Sequence, residues 1–248
     1  MTASNRLPSN LPNSDEQTIV RDYFNATGFD RWRRIYGTTD EVNRVQLDIR
    51  MGHQQTVDSL LAWLDADGNL AGMKICDAGC GVGSLTLPLL ERGARVSASD
   101  ISEKMVGEAR DRAQAQFSNP NAASNRPALG NVDFSVQDLE AITGRYHTVI
   151  CLDVLIHYPT EKAASMIAHL ASLSEERLIL SFAPKTVLLS LLKKVGEFFP
   201  GPSKTTRAYQ HKESDIIQIL EFCGFEAKRK ILTSTSFYYS KMIEAVRR

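Results

Sequence analysis

The stretch Ile75-Cys-Asp-Ala-Gly-Cys-Gly-Val-Gly-Ser84 decides the fold of this chain. An apolar run ends at Asp77, and the glycines at positions 79, 81 and 83 let the backbone turn sharply and approach a ligand without obstruction by Cβ atoms. A dinucleotide-binding G-x-G-x-x-G loop would place its third glycine at position 84, which Ser84 occupies. The sequence therefore predicts a nucleotide-type loop between a strand and a helix, and it disfavours a nicotinamide or flavin oxidoreductase.

Short apolar runs alternate with helical segments over most of the chain. The predicted strands are 73–76, 95–98, 132–136, 146–152 and 178–182, and the main predicted helices are 103–116, 161–172 and 212–222. This alternation predicts an α/β fold, a Rossmann-like open sheet that is mostly parallel and has helices on both faces. Two final apolar runs, 228–233 and 237–245, have no helix between them, so they predict a hairpin that adds one antiparallel strand.

The 248 residues predict a single domain with additions before it and within it. We expect a disordered tail over 1–13, a helical cover over 14–66 and a cofactor-binding domain over 67–248. Residues 183–211 interrupt the alternation with an apolar segment followed by basic residues. We expect an inserted lid there, because long insertions in compact domains commonly form lids or binding loops. The same composition also suits a helix at a membrane surface.

The composition excludes several classes of protein. The chain carries 29 Lys+Arg and 29 Asp+Glu, so no net charge attracts it to nucleic acid. Four scattered cysteines indicate reduced thiols, and no second Cys/His pair follows Cys76 and Cys80 at zinc spacing, so we expect no metal site. We find neither the apolar core of a signal peptide nor an 18-residue apolar run. We therefore expect a cytoplasmic protein.

Acidic residues follow four successive predicted strands. Asp77 and Asp100 end the first two strands, and Asp138 and Asp153 follow the third and fourth. The carboxyl ends of parallel strands meet at one edge of an open sheet, so these residues are expected to share one crevice. Taken singly, Asp77 or Asp138 could equally cap a helix or lie in a solvated turn. Their shared order and spacing favour a binding site.

The glycine loop, with an acidic residue two positions before its first glycine, resembles the first motif of class I S-adenosylmethionine-dependent methyltransferases. The resemblance implies that the Asp100 carboxylate accepts hydrogen bonds from the ribose hydroxyl groups. It also implies that Asp138 lies beside the adenine amino group. The resemblance also suggests that Arg50 binds the methionine carboxylate through its planar guanidinium, with a solvated helical arginine as the alternative. It implies binding of S-adenosylmethionine, and of the product S-adenosylhomocysteine, by Arg50, Asp77, Ala78, Gly79, Gly81, Gly83, Asp100, Ile101, Asp138, Leu139 and Cys151.

Longer stretches resemble the magnesium protoporphyrin IX methyltransferases of chlorophyll biosynthesis. The most specific are Gly28-Phe-Asp-Arg-Trp-Arg-Arg-Ile-Tyr-Gly37, Leu152-Asp-Val-Leu-Ile-His-Tyr-Pro159 and Pro200-Gly-Pro-Ser-Lys-Thr-Thr-Arg-Ala-Tyr209. The resemblance runs from about Glu16 to the C-terminus, and it implies methylation of the ring C propionate of magnesium protoporphyrin IX to the monomethyl ester. Magnesium then enters only as part of the substrate. Contact with the porphyrin-binding subunit of magnesium chelatase is also implied, and peripheral contact with photosynthetic membranes stays open.

The resemblance also implies the residues at the reacting end of the site. A propionate with a pKa near that of Glu, about 4.3, is ionised at neutral pH, so no strong base is required. We expect His157, just beyond the fourth strand, to hold the propionate or to remove a proton from its acid form. We expect Tyr36 to donate its hydroxyl to the same carboxylate. The residues expected to bind the porphyrin are Trp32, Lys185, Lys204 and Arg207.

The remaining histidines have no comparable placement, and we expect them to serve structure or to face solvent: His53, His147, His169 and His211. Two alternative functions stay open at this point. One is a methyltransferase that acts on a quinone or another flat lipid, and the other is a non-catalytic protein that binds the cofactor or the porphyrin without transfer. Methylation of a panel of flat substrates would separate them.

Overall fold

The computed structural model describes residues 13–37, 42–118, 131–185 and 208–248. Its strands are β1 (Lys74–Ala78), β2 (Arg95–Asp100), β3 (Val132–Val136), β4 (Tyr146–Cys151), β5 (Ser174–Phe182), β6 (Phe225–Ser234) and β7 (Tyr239–Arg247). They form one sheet in the order β3-β2-β1-β4-β5-β7-β6. Strands β1 to β5 pair in parallel, whereas β7 runs antiparallel to both of its neighbours. The predicted sheet, with its single reversed strand and terminal hairpin, is confirmed.

Helices of the described ranges precede β1 and connect the strands. They are α1 (Asn13–Asn25), α2 (Thr27–Ile35), α3 (Arg44–Asp67), α4 (Thr86–Glu91), α5 (Glu103–Phe117), α6 (Thr160–Leu173) and α7 (Glu213–Phe222). Among them, none combines the length and apolarity that crossing a bilayer requires. The predicted tail over 1–13 lies almost wholly outside the described residues, as does most of the predicted lid over 183–211.

Helix α3 begins at a capping box. The Asn43 side chain accepts a hydrogen bond from the Gln46 backbone N–H at 2.9 Å, and the Gln46 side chain accepts one from the Asn43 backbone N–H at 3.1 Å. These two bonds satisfy backbone donors that a helix start otherwise leaves unpaired. The chain therefore has a defined start for the long helix that presents several side chains to the site.

Two apolar clusters cover the two faces of the sheet. Adjacent residues of β1 point to opposite faces, so Ile75 joins the cluster beneath α3 and α4, whereas Cys76 joins the cluster beneath α6 and α7. Leu60 and Leu64 of α3 are fully buried. Burial of each such side chain contributes about 1.5–3 kcal/mol to the free energy of unfolding. This packing fixes α3 against the sheet.

The turn between β6 and β7 lies at the edge of the sheet where the parallel strands end. Because β7 is antiparallel to β5, its residue Lys241 pairs with Phe182 at the end of β5. Asp48 of α3 holds this turn, since its carboxylate accepts hydrogen bonds from the Thr235 hydroxyl at 2.7 Å and from the Phe237 backbone N–H at 2.6 Å. The hairpin thus brings residues 235–238 to the strand ends that carry the predicted acids.

Candidate active site

The glycine loop after β1 borders a cavity of about 400 Å³. The backbone N–H groups of Gly79 and Cys80 both donate to the Ser99 carbonyl, at 2.8 and 2.9 Å. Gly79 has φ +85°, and a Cβ there would lie 2.2 Å from the Val154 side chain. At Gly81, with φ +52°, a Cβ would meet no described atom within 4 Å. The loop therefore presents bare backbone to open space at this end of the cavity.

Two carboxyl groups lie beneath the loop. Asp100 accepts hydrogen bonds from the Gly81 backbone N–H at 3.0 Å and from the Ser102 backbone N–H at 2.9 Å. Asp77 accepts one from the Thr86 hydroxyl at 2.5 Å. Burial raises the pKa of each carboxyl to about 6. Both groups are mainly ionised at pH 7, so this end of the cavity suits a ligand that carries hydroxyl groups and positive charge.

Aromatic side chains form a second part of the cavity wall, here called the aromatic end. The rings of Trp32 and Tyr36 stack at a centroid distance of 5.3 Å, and Phe24 makes an edge contact with His157 at 5.2 Å. Phe237, from the turn between β6 and β7, also lines the cavity and exposes 57% of its surface. This end offers a broad apolar surface with few polar groups, as a flat apolar ligand requires.

Neutral hydrogen-bond donors face that aromatic end. Burial lowers the pKa of His157 to about 4, with only partial opposition from the charge of Asp153, so its imidazole is neutral at pH 7. Burial, together with the charge of Asp153, raises the pKa of Tyr36 well above its ordinary value, so its hydroxyl keeps its proton. A neutral imidazole and a phenol can each donate a hydrogen bond to a carboxylate.

Two protein-family models together match residues 75–247 of this chain. A general methyltransferase domain matches residues 75–176, and the C-terminal region of magnesium protoporphyrin IX methyltransferase matches residues 151–247. The magnesium-protoporphyrin O-methyltransferase of Synechocystis sp. is 65% identical over 233 residues, which cover 94% of this chain and 97% of that protein. The chain belongs to the magnesium protoporphyrin IX methyltransferase family.

Other members of the magnesium protoporphyrin IX methyltransferase family are similar to this chain in sequence and in fold. The chloroplastic enzyme of Arabidopsis thaliana is 56% identical over 93% of this chain and 71% of its own length. A crystal structure of the Synechocystis PCC 6803 enzyme with bound S-adenosylhomocysteine has a TM-score of 0.83 and 62% identity, over 94% of this chain and all of that one. These findings confirm the predicted class I fold, the S-adenosylmethionine-dependent enzyme class and the predicted cofactor.

The structure brings most of the predicted residues of this family member to the cavity wall. Those that line it are Trp32, Tyr36, Asp77, Gly79, Gly81, Asp100, Ile101, Leu139 and His157. Asp138 stands beside Leu139 and accepts hydrogen bonds from the Glu140 backbone N–H at 2.8 Å and from the Gln17 amide of α1 at 2.9 Å. The cofactor roles of these residues stay predictions, and the shared cavity makes them testable together.

Several predicted cofactor residues lie behind the wall. Ala78 and Cys151 are the buried last residues of β1 and β4, and burial raises the pKa of the Cys151 thiol well above its ordinary value. Gly83 allows close packing, because a Cβ there would lie 2.7 Å from Leu87. These three residues shape the loop and the strand ends and do not themselves border the cavity.

The predicted cationic residues have different positions. The Arg50 guanidinium donates to the carbonyl groups of Ile35 at 2.8 Å and Arg34 at 2.7 Å, which close the end of α2. Arg50 does not border the cavity, so its expected contact with the methionine carboxylate stays a prediction. Lys185 is exposed and is also absent from the cavity wall. Lys204 and Arg207 lie outside the described residues.

His53 lines the cavity, a placement that the sequence did not indicate. In this residue of α3, Nδ1 lies 2.8 Å from a carboxylate oxygen of Asp153, and the ring is 4.3 Å from that of Tyr36. Tyr238, which also lines the cavity, donates to the same Asp153 oxygen at 2.8 Å. Tyr238 carried no motif, and the helical period of α3 places His53 on a face without showing what that face contacts.

Proposed function

We propose that this chain transfers the methyl group of S-adenosylmethionine to a propionate carboxylate of magnesium protoporphyrin IX. The products are the monomethyl ester and S-adenosylhomocysteine, in a step of chlorophyll biosynthesis. One observation carries the proposal: a single cavity is lined both by a glycine loop with two acids and by aromatic rings with neutral donors. The Synechocystis and Arabidopsis relatives described above are named as methyltransferases of magnesium protoporphyrin.

The residues at the loop end suit the cofactor. When it is bound, S-adenosylmethionine supplies a methyl group on a positively charged sulfur, which departs as a neutral thioether. The open side of Gly81 leaves room for the ligand against the backbone, and each Asp100 oxygen that accepts one N–H bond retains a further lone pair for a ribose hydroxyl. Ile101 and Leu139 add apolar surface for the adenine ring.

The residues at the aromatic end suit a tetrapyrrole. Trp32 of α2, Tyr36 just after it and Phe237 of the hairpin turn supply apolar ring surface to the cavity wall. A porphyrin is a flat apolar disc, so contact area of this kind provides most of its affinity. A few polar groups then determine which propionate reaches the reacting end.

The chain's contribution to the chemistry is alignment. The propionate is already ionised at neutral pH, so no group of the protein has to remove a proton. His157, with a pKa of about 4, is no stronger a base than the propionate itself, and it acts as a hydrogen-bond donor that orients one carboxylate oxygen. Tyr36 donates from the α2 side. Orientation and exclusion of water by the aromatic rings supply most of the rate enhancement.

Incubation with radiolabelled S-adenosylmethionine and magnesium protoporphyrin IX tests this function. We expect labelled, base-labile ester and stoichiometric S-adenosylhomocysteine. A demethylquinone, offered in parallel, should remain unlabelled. Recovery of unmodified porphyrin under conditions where calorimetry shows cofactor binding would reject the enzyme activity and support the non-catalytic alternative.

The two donors can be tested separately from cofactor binding. We expect His157→Ala and Tyr36→Phe each to lower kcat by about 10- to 1,000-fold, because misorientation at the reacting end affects mainly the transition state. Affinity for S-adenosylhomocysteine should change less than about threefold, since neither side chain belongs to the loop end. Equal losses of kcat and cofactor affinity would indicate structural roles.

We also propose that the porphyrin arrives from the porphyrin-binding subunit of magnesium chelatase. A flat apolar ring is poorly hydrated, and the exposed Phe237 ring in the cavity wall supports direct delivery. A porphyrin-loaded chelatase subunit should then be methylated faster than the same concentration of free porphyrin. Equal rates, with a trap protein present to capture released porphyrin, would contradict direct transfer.

We propose peripheral contact with photosynthetic membranes on the composition of residues 183–211 alone. Apolar and basic residues together bind anionic lipid surfaces, and the attraction weakens as salt screens the charges. Flotation with anionic vesicles at low salt, but not with neutral vesicles, is the expected result. Failure to float with either composition would refute it.

A further inference from the structure

Asp153 occupies an unusual position at the end of β4. It has φ +56° and is the one non-glycine residue of the described ranges with a positive φ. Its carboxylate accepts hydrogen bonds from the hydroxyl groups of Tyr238 at 2.8 Å, Ser181 at 2.9 Å and Ser240 at 3.2 Å. Strained backbone of this kind persists only where the surroundings fix it, and it concentrates at functional sites.

The fourth partner of this carboxylate is His53. Its Nδ1 lies 2.8 Å from the Asp153 oxygen, and 12% of the His53 side chain is exposed. Burial alone would raise the pKa of Asp153, but the hydrogen bond and charge of His53, with the bonds from Tyr238 and Ser181, lower it overall. Asp153 is therefore a firmly ionised anchor, and its carboxylate orients the imidazole through Nδ1.

The oriented imidazole contacts the proposed donor Tyr36. The two ring centroids are 4.3 Å apart with an interplanar angle of 42°. The main chain around Tyr36 is held from other sides, because Arg112 donates to the Tyr36 carbonyl at 2.9 Å and Arg50 donates to the carbonyl before it at 2.8 Å. Those two bonds fix the backbone at Tyr36, whereas the contact with the His53 ring constrains the orientation of the Tyr36 side chain.

Asp153 holds one of the two ring nitrogens of His53, and Nε2 has no hydrogen-bond partner among the described residues. The bond through Nδ1 is therefore the one that fixes the imidazole there, and the ring that it fixes is the ring that contacts Tyr36.

We propose that His53 and Asp153 form a positioning pair that holds the Tyr36 ring in the orientation from which its hydroxyl meets the substrate carboxylate. This inference rests on the proposed role of Tyr36. Asp153 fixes the plane of the imidazole, and the imidazole fixes the tyrosine ring. Neither residue needs to touch the reacting atoms. A displacement near 1 Å at the reacting end can lower a rate by about 100-fold, so the pair has a measurable effect.

A double-mutant cycle between His53 and Tyr36 tests whether the positioning pair acts through the Tyr36 hydroxyl. His53→Asn retains an N–H donor for Asp153 but removes the ring that contacts Tyr36. We expect it to lower kcat by about 10- to 100-fold, with less than about a threefold change in the affinity for S-adenosylhomocysteine. In a Tyr36→Phe background, the same substitution should lower kcat by less than about threefold, because the hydroxyl it positions is already absent.

His169→Asn is the matched control, since its Nε2 lies 2.9 Å from the Ile142 carbonyl and the residue does not border the cavity. It should leave kcat within about twofold of the parent. If Tyr36→Phe lowers kcat and the His53 effect multiplies with it, the positioning pair is refuted while the proposed role of Tyr36 stands. If Tyr36→Phe leaves kcat unchanged, both are refuted.

Loss of stability is separated from loss of positioning by two measurements. Thermal unfolding of each variant reports the folded fraction at the assay temperature, and kcat is normalised to S-adenosylhomocysteine-binding sites. If His53→Asn is too unstable to assay, the cycle is repeated with His53→Gln, which also retains an amide donor and lacks the ring. A fall in unfolding temperature with an unchanged kcat per binding site would overturn the proposal.

Discussion

Gly52 of α3 lets the Tyr238 ring pack directly against the helix, because glycine has no Cβ atom. A Cβ built at Gly52 would lie 2.4 Å from Cδ1, 2.6 Å from Cγ and 2.8 Å from Cβ of Tyr238. The ring has little freedom to move, since its hydroxyl lies 2.8 Å from Asp153 and 3.1 Å from Thr56. Gly52→Ala is therefore expected to displace Tyr238 and to weaken the pair of bonds that its hydroxyl makes.

Three contributions determine how much Gly52→Ala changes the free energy of unfolding. Replacing a helical glycine by alanine favours the helix by about 0.5–1 kcal/mol. Overpacking of the ring costs about 1–3 kcal/mol. Loss of a hydrogen bond to the ionised Asp153 costs about 1.5–3 kcal/mol more. We therefore expect Gly52→Ala to lower the free energy of unfolding by about 1.5–5.5 kcal/mol.

Gly107 provides the matched control. It lies within α5, and a Cβ there would meet no described atom within 4 Å. Gly107→Ala is expected to raise the free energy of unfolding by about 0.5–1 kcal/mol through helix propensity alone. Urea unfolding followed by circular dichroism measures both variants, with the slope m as a check that each unfolds in a two-state manner. Equal stability of Gly52→Ala and the parent would refute this account of the Tyr238 contact.

The remaining predictions concern ligand binding. The proposed contact with the ribose requires the ionised form of Asp100, whose pKa is about 6 without ligand, so affinity for S-adenosylhomocysteine should be constant above pH 7 and about tenfold weaker at pH 5. Calorimetry should show that Asp100→Asn loses most of this dependence; its full retention would assign the titration elsewhere. Phe237→Ala should raise KM for the porphyrin by about 3- to 30-fold. Phe222 is 93% exposed and does not line the cavity, so Phe222→Ala should leave this KM unchanged. Equal effects of the two substitutions would exclude a specific contact between Phe237 and the porphyrin. Arg50→Lys should lower kcat more than cofactor affinity if it holds α2, and the reverse if it binds the methionine carboxylate.

Short-range spacing made the loop end of the site predictable. The turn at Gly79 and Gly81 requires positive φ, which the sequence signals through glycine itself. Asp100 follows from the rule that residues at the ends of parallel strands share one edge of the sheet. The mostly parallel sheet follows from the alternation of apolar runs and helices, and the reversed final strand follows from the missing helix between the last two runs. The order of the strands comes from the structure alone.

The donor end was predictable only in part. Tyr36 and His157 came from a family resemblance, and the structure brings both to the cavity wall. The roles of Arg50 and His53 depend on which atoms of distant elements meet α3, and an amphipathic period carries no such information. The positive φ of Asp153 was equally hidden, because no glycine marks that position.

The hairpin of β6 and β7 is held to α3 by contacts between parts of the chain that are far apart in sequence. Asp48 accepts a hydrogen bond from Thr235 across a separation of 187 residues, and Thr56 meets Thr233 across 177. Contacts of such long sequence separation form slowly, because the chain between them must first be closed into a loop. The cavity wall around residues 235–238 is therefore expected to be among the later parts of the site to form during folding.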